Sequence, residues 1–212
     1  MATLAEQFVD DLDADLAKRR RELIDLRLMI SSGTGSRLAM LGRTCQVMAY
    51  AHWEGFVKHA LQTYLEYIVM LQPKLGDLRL ELQALSVRHA MRLAVAPERD
   101  IAQLALLIPS LDARANDVFV VDPKEIIRSG NLTADTLRVL LGCSGLQFGA
   151  IYQARENYID SVICGRRHRV AHGSWQPVTP TEARDLLADV MSLCQEINDQ
   201  VQTAVVYEHY RI

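Results

Sequence analysis

Apolar residues recur at spacings of three and four along almost the whole chain. This period places them on one face of an α-helix, because the helix has about 3.6 residues per turn. Glycine and proline, which interrupt helices, number only 11 and 6 among the 212 residues. The pattern therefore predicts an all-α fold. Half of the residues are apolar, which is enough in a chain of this length to bury a core without disulfides.

Breaks in the apolar pattern divide the chain into helices. A first long helix is predicted over residues 4–30, and the sequence SSGTGS at 31–36 interrupts it. A second long helix is predicted over 37–71, where Pro73 stops it. This second helix is apolar on more than one face. It is therefore expected to be the central element of the bundle or part of an interface.

Four shorter periodic segments predict further helices, at residues 75–93, 97–108, 133–141 and 147–171. The last helix has the clearest start, because Thr179, Pro180 and Glu182 combine an N-cap, a first-turn proline and a capping-box glutamate. Between residues 110 and 132 the periodicity is lost. The tetrad VFVV at 118–121 has the composition of a short strand, although one tetrad does not decide between strand and loop.

The chain shows no internal repeat, low-complexity stretch or linker, so residues 1–212 are predicted to form a single domain. Its 23 basic and 26 acidic side chains give a net charge of −3. This balance excludes a protein that coats nucleic acid by bulk charge, and any polyanion contact must be local. No basic leader and no uncharged span are present, which predicts a cytoplasmic protein without membrane contact.

The four cysteines lie far apart and form no CxxC pair, so they are predicted to be buried reduced thiols. His52, His59 and His89 have no acidic or cysteine partners at ligand spacing, which favours packing over metal binding. We therefore expect neither a metal site nor a cofactor. The basic run at residues 18–21 is interpreted as a solvated face, with an extended RNA-binding surface as the alternative.

The densest polar cluster is RRHRVAH at residues 166–172, followed by Gly173, which is placed to end a helix. Like charges this close repel one another, so the cluster destabilises the helix end unless an anion or an acidic partner meets it. Histidine transfers protons near neutral pH, and arginine stabilises charge on a phosphoryl oxygen. The cluster therefore suits phosphate chemistry. The alternative is a solvated helix end whose cations favour the helix dipole.

Helical geometry limits how this cluster can form one site. Positions four apart lie side by side, whereas positions five apart diverge by about 140°. His168 and Arg169 are therefore expected nearer to His172 than Arg167 is. A site that uses both Arg167 and His172 needs the reach of arginine, a distorted helix end, or a second copy of the motif across a dimer axis. We favour the dimer.

The hexapeptide RHRVAH, from Arg167 to His172, resembles the Rx4–6H signature of the HEPN superfamily, in which asparagine often follows the arginine and Ala-His-Gly often ends the motif. The stretches WEGFVK at 53–58 and NLT at 131–133 are similar to the HEPN subgroup of prokaryotic conflict and toxin–antitoxin systems. The resemblance covers about residues 40–201. It implies a HEPN-like helical bundle with a long second helix and an irregular insertion near 110–132.

The resemblance also implies a metal-independent endoribonuclease that acts as a homodimer, with two motifs lining one cleft. His172 is expected to be the general acid/base for attack of a ribose 2′-hydroxyl on the adjacent phosphate, and Arg167 to hold that phosphate. His168 corresponds to the polar supporting residue, although asparagine is commoner there. Ser174 stands where some members carry a tyrosine, which puts neutralisation by tyrosine modification in doubt.

The partners implied are RNA and an antitoxin such as a nucleotidyltransferase-like protein. Supporting or RNA-binding roles are predicted for Arg166, Arg169 and Ser174, and Trp175 is a candidate for stacking a base. Glu54 is a further candidate, although its spacing to Lys58 equally indicates a surface ion pair. The alternatives to a ribonuclease are a noncatalytic module that binds a nucleotide or a protein partner, and a purely structural dimerisation domain.

Overall fold

The structure, a computed structural model, describes residues 2–94, 113–128, 130–174 and 177–212, with the backbone alone for residues 87 and 89–94. This part of the chain is helical and contains no β-sheet, which confirms the all-α prediction. Its helices are α1 (Leu4–Ser32), α2 (Gly35–Leu71), α3 (Leu80–Ala94), α4 (Pro123–Ile126), α5 (Ala134–Cys143), α6 (Ala150–Gln153), α7 (Glu156–Tyr158), a π-helix (Ile159–Arg166), α8 (Arg167–Ala171) and α9 (Pro180–Val206).

The long helix α2 is the centre of the bundle. It packs against both α1 and α9, and these two helices also pack against each other. Trp53, Phe56 and Tyr64 of α2 are completely buried. Each large apolar side chain removed from water in this way stabilises the fold by roughly 1.5–3 kcal/mol. The prediction of a central second helix is therefore confirmed.

Local capping signals define the ends of the outer helices. At the start of α9, the backbone N–H of Glu182 donates to Thr179 Oγ1 over 3.2 Å, and the Thr179 N–H donates to Glu182 Oε2 over 2.9 Å. These bonds with Thr179 hold the pKa of the Glu182 carboxyl below its ordinary value. Thr3 and Glu6 form the same reciprocal cap on α1. The predicted capping box on the last helix is confirmed.

The start of α3 and the segment after it differ from the sequence predictions. The helix predicted from residue 75 begins at Leu80, after a 3-10 turn at Leu75–Asp77. The C-terminal tail explains this, because Arg79 N–H donates to the Tyr210 carbonyl and Ile212 N–H to that of Asp77. The tetrad at 118–121 forms no strand: Val118 makes only an isolated bridge with Lys74. The helix predicted at 97–108 lies outside the described residues.

The single helix predicted over 147–171 is wrong, because this segment is divided into α6, α7, the π-helix and α8. A π-helix closes each turn with an i→i+5 hydrogen bond and needs more room than an α-helix. Gly165 lies five residues after Asp160, and a Cβ at Gly165 would lie only 3.0 Å from the Asp160 carbonyl oxygen. The glycine therefore allows the wider turn directly ahead of the basic cluster.

Within the described ranges, no helix combines the length and the apolar character needed to cross a bilayer.

We expect Thr179→Ala to lower the free energy of unfolding by about 1 kcal/mol, because α9 loses its N-cap. The loss should shrink at acid pH. The folded-state pKa of Glu182 is depressed, so its stabilising effect is present above the ordinary value of 4.5 and disappears as the pH falls through the folded value. Urea unfolding at neutral and acid pH measures both effects.

Thr203→Ala is the matched control, since Thr203 is an exposed residue on the same helix and has no side-chain hydrogen bond in the described structure. Equal stability of Thr179→Ala and Thr203→Ala at pH 7 would contradict a role for the cap.

Candidate functional site

The basic cluster begins at the end of the π-helix and continues through α8. Gly173 ends α8 with φ +80, in the left-handed region that favours glycine. Its N–H donates to the Val170 carbonyl over 3.1 Å, and the Ser174 N–H donates to the Arg169 carbonyl over 2.9 Å. This pair of bonds is the Schellman motif. The predicted helix end at Gly173 is therefore confirmed.

Arg167 is directed toward α2. Its guanidinium carbon Cζ lies 3.7 Å from the centroid of the Tyr50 ring, and its Nη2 donates to Asn131 Oδ1 over 2.8 Å. The Nε atom is buried and has no hydrogen-bond partner among the described residues. None of the ion pairs found in the described ranges involves Arg167. Its guanidinium is therefore fixed in orientation and forms no direct ion pair with a carboxylate there.

The two histidines of the cluster lie together. The ring centroids of His168 and His172 are 4.3 Å apart, and the His172 N–H donates to the His168 carbonyl over 3.1 Å. Both residues are exposed. The predicted proximity of His168 to His172 is confirmed, since four residues make about one turn of helix. Among the described residues, no hydrogen bond joins Arg167 to His172, and the Arg167 guanidinium contacts Tyr50 and Asn131 instead.

The remaining candidates of the cluster have different surroundings. Arg166 Nη1 lies 3.1 Å from Glu182 Oε1, which links the cluster to the capping box of α9. Its charge is therefore partly compensated by an acidic residue. Arg169 and Ser174 are exposed to solvent. Trp175 lies outside the described residues.

Glu54 forms the ion pair with Lys58 that its spacing indicates, and it also lies near the candidate site. Its Oε1 pairs with Lys58 Nζ at 2.5 Å, as the spacing indicates. The same carboxylate also lies close to the Tyr50 phenol. Burial chiefly, with Glu54 as a smaller cause, raises the pKa of Tyr50 to about 12. The Tyr50 hydroxyl therefore stays protonated at neutral pH, and Glu54 is connected to Arg167 through Tyr50.

Three side chains hold the loop ahead of α5 against the site. The Leu132 N–H donates to Tyr50 Oη over 2.9 Å, and Cys164 Sγ donates to the Leu132 carbonyl over 3.0 Å. Asp160 Oδ1 accepts from the Ala134 N–H over 2.7 Å. Burial raises the pKa of the Cys164 thiol to about 12, so it remains a protonated donor. The π-helix therefore fixes the loop that carries Asn131.

Sequence reasoning missed Tyr50, Asp160 and Cys164. Tyr50 carried a signal, because it lies four residues before Glu54 and hence on the same strip of α2. No sequence signal indicated Asp160 or Cys164. Their hydrogen-bond partners, Ala134 and Leu132, lie 26 and 32 residues earlier in the chain. Asn131 belongs to the stretch that resembled the family, but its hydrogen bond to Arg167 is seen only in the structure.

The remaining histidine and arginine candidates of α1 and α2 differ in their exposure to solvent. His52 is buried, with Nε2 3.2 Å from Glu22 of α1. In the basic run at 18–21, Arg19 pairs with Asp15 at 2.6 Å, and Arg20 donates to Gln195 over 2.6 Å. Lys18, Arg20 and Arg21 are exposed, so most of this run is a solvated face, as predicted, and Arg20 also links α1 to α9.

Within the described ranges, no group of three or more histidine, cysteine, aspartate or glutamate side chains is arranged to hold a metal ion. All four cysteines are free thiols, and Cys45, Cys164 and Cys194 are buried, as predicted, whereas Cys143 is only half-buried. The side chain of His89 lies outside the described residues.

The helical fold and the Arg-to-His motif at the end of a helix together define a protein of the HEPN class. A family model described as MAE_28990-like HEPN matches residues 8–210. This is nearly the whole chain, so the chain belongs to the HEPN family. The match extends beyond residues 40–201, which carried the sequence resemblance, and includes most of α1. No curated protein and no solved structure matches the chain.

We expect Asp160→Ala to lower the free energy of unfolding by about 1–2 kcal/mol, because the Ala134 N–H at the start of α5 loses a charged acceptor. Asp160→Asn keeps a carbonyl oxygen in the same place and should recover most of this loss. Chemical denaturation measures both variants. Equal destabilisation by Ala and Asn would show that this hydrogen bond does not hold the loop.

Proposed function

We propose that this HEPN protein is a metal-independent endoribonuclease. The observation that carries the proposal is the environment of Arg167, whose guanidinium is held by Tyr50 and Asn131 without a carboxylate partner in the described structure. An arginine that is oriented but not neutralised attracts an anion, and its planar fork matches a phosphate. The two exposed imidazoles of the same helix provide groups that can transfer protons near neutral pH.

In the proposed reaction, His172 removes the proton from a ribose 2′-hydroxyl, and the oxygen attacks the adjacent phosphorus. The bond from phosphorus to the 5′-oxygen breaks, and this leaving group takes up a proton. The products are a 2′,3′-cyclic phosphate and a free 5′-hydroxyl, so this step consumes no water molecule. Arg167 stabilises the charge that develops on the phosphoryl oxygens. His168 supports the ring of His172.

We further propose that the active form is a homodimer with a composite site. Within one protomer, Arg167 is directed toward α2 while His172 faces solvent. Pairing two α8 ends around a two-fold axis would place His172 of one protomer beside Arg167 of the other. Arg166 and Arg169 of both copies would then add positive potential to the cleft, although the net charge of each chain is −3.

The biological role proposed is that of a cytoplasmic toxin or effector in a toxin–antitoxin or defence system. This rests on the resemblance of the motif, of residues 53–58 and of residues 131–133 to HEPN toxins. An antitoxin, for example a nucleotidyltransferase-like protein, would be its partner.

A second candidate function is binding of a nucleotide or a protein partner without cleavage. The environment of Arg167 supports it as well, since an oriented arginine without a carboxylate partner in the described structure attracts an anion whether or not an imidazole lies beside it. Thermal stabilisation by a nucleotide, with no RNA cleavage at any enzyme concentration, would support this candidate over the ribonuclease.

The purified protein is expected to cleave RNA in the presence of EDTA and to leave 2′,3′-cyclic phosphate ends. His172→Ala and Arg167→Ala should each lower the cleavage rate by at least about a hundredfold, because proton transfer and charge stabilisation each contribute about that much. Gel assays with end analysis by phosphatase and kinase treatment measure the rates and the ends.

Matched controls are His209→Ala and Arg184→Ala, which remove an exposed histidine and an arginine on α9 outside the cluster. Both should cleave at the wild-type rate. Cleavage that persists in His172→Ala would refute the mechanism, and cleavage abolished by EDTA would refute its independence of metal.

Mixing His172→Ala with Arg167→Ala protein tests the composite site. If each site takes His172 from one protomer and Arg167 from the other, every mixed dimer has one intact site. After equal amounts exchange subunits, about half of the dimers are mixed, so about a quarter of the wild-type activity should return. No recovery, with exchange confirmed by native mass spectrometry, would place both residues of each site in one protomer.

A further inference from the structure

Tyr50 of α2 is not explained by the proposed roles of the motif residues. It is almost completely buried, at 4% exposure, and one face of its ring lies against the Arg167 guanidinium with Cζ 3.7 Å from the ring centroid. Cation–π contacts extend to about 6 Å, so this is a close one. The aromatic ring therefore limits the positions that the flexible arginine side chain can occupy.

The hydroxyl of Tyr50 supports Arg167 by a second route. It accepts the N–H of Leu132 over 2.9 Å, and the preceding residue, Asn131, accepts from Arg167 Nη2 over 2.8 Å. Tyr50 thus contacts the guanidinium with its ring and holds the loop that supplies the other contact. Removal of the whole side chain would loosen both supports at once.

Both of the groups that support the Arg167 guanidinium are electrically neutral. Arginine has only hydrogen-bond donors, so the Asn131 atom that faces Nη2 is the carbonyl oxygen, which is neutral. A phenol ring is neutral as well, and the pKa of Tyr50 is raised to about 12, chiefly by burial. Arg166 provides the contrast, because its partner is the Glu182 carboxylate. A carboxylate would orient Arg167 equally well but would compete with a phosphate for its charge.

We propose that Tyr50 is a positioning residue, which orients the Arg167 guanidinium for phosphate without pairing it directly with a carboxylate. This inference rests on the proposed ribonuclease function, whose reaction it deepens. Tyr50 acts through Arg167 and transfers no proton itself.

Three variants test the role of the ring. Tyr50→Leu removes the aromatic face, and we expect kcat/KM for RNA cleavage to fall by about tenfold to a hundredfold, since a misplacement of about 1 Å can have an effect of that size. Tyr50→Phe keeps the face and should cleave within about threefold of wild type. Phe148→Leu is the matched control, because Phe148 lies under Arg138, with Cζ 4.5 Å from its ring centroid, outside the candidate site. Its cleavage rate should be unchanged.

A nuclear magnetic resonance measurement separates this proposal from the proposed function. The Arg167 Hε proton should be shifted by the ring current of Tyr50, and the signal is assigned by its loss in Arg167→Lys. We expect the shifted signal in wild type and Tyr50→Phe, and its return to the ordinary arginine position in Tyr50→Leu. Tyr50→Met fills the same space without a ring and replaces the leucine variant if that variant does not fold.

Cleavage by folded Tyr50→Leu within twofold of wild type, or an unchanged Hε signal in that variant, would overturn the proposal. If the wild-type protein does not cleave RNA, the ribonuclease function fails. A ring-current shift that disappears in Tyr50→Leu, together with at least about fivefold weaker binding of inorganic phosphate, would then support the positioning role alone.

Discussion

The burial of α2 on several of its faces is the constraint on which the rest of the structure depends. Phe56 and Leu65 are both completely buried, although nine residues of helix place them about 180° apart. The helix α2 must therefore be covered from more than one direction, and α1 and α9 provide that cover. The strip of α2 that carries Tyr50 and Glu54 lies toward the motif, because Arg167 contacts the Tyr50 ring and Glu54 lies beside the Tyr50 phenol. The core therefore sets the position of Tyr50, and Tyr50 sets the position of Arg167.

Sequence reasoning succeeded where the deciding interactions are local. The long helices α1, α2 and α9 follow from apolar periodicity, and the capping box of Thr179 and Glu182 lies within four residues. Sequence reasoning failed where hydrogen bonds to distant segments of the chain determine the backbone conformation. The start of α3 depends on hydrogen bonds from residues 77–79 to the C-terminal tail, about 130 residues later in the chain. The break of the segment 147–171 depends on Gly165 and on contacts with the loop ahead of α5.

In the candidate site too, local interactions were predictable from the sequence and long-range contacts were not. The approach of His168 to His172 follows from helical geometry alone, and Gly173 ends the helix where its sequence position indicates. The direction of Arg167 does not follow from its own helix, because it depends on where α8 packs against α2 and on where the loop places Asn131. A sequence motif thus identifies the candidate groups, whereas tertiary contacts determine which of them can meet.

The three arginines of the cluster show how the protein reduces the repulsion between them. Arg166 is paired with Glu182, Arg169 is exposed to solvent, and Arg167 is oriented by neutral groups without a carboxylate in the described structure. Complete pairing would give the more stable helix end, but it would leave no charge for a ligand. Leaving one oriented arginine without a carboxylate partner in the described structure destabilises the free protein slightly, and a phosphate bound as proposed would relieve that destabilisation. Under the proposed function, binding of the anion would therefore be coupled to the stability of the helix end that carries His168 and His172.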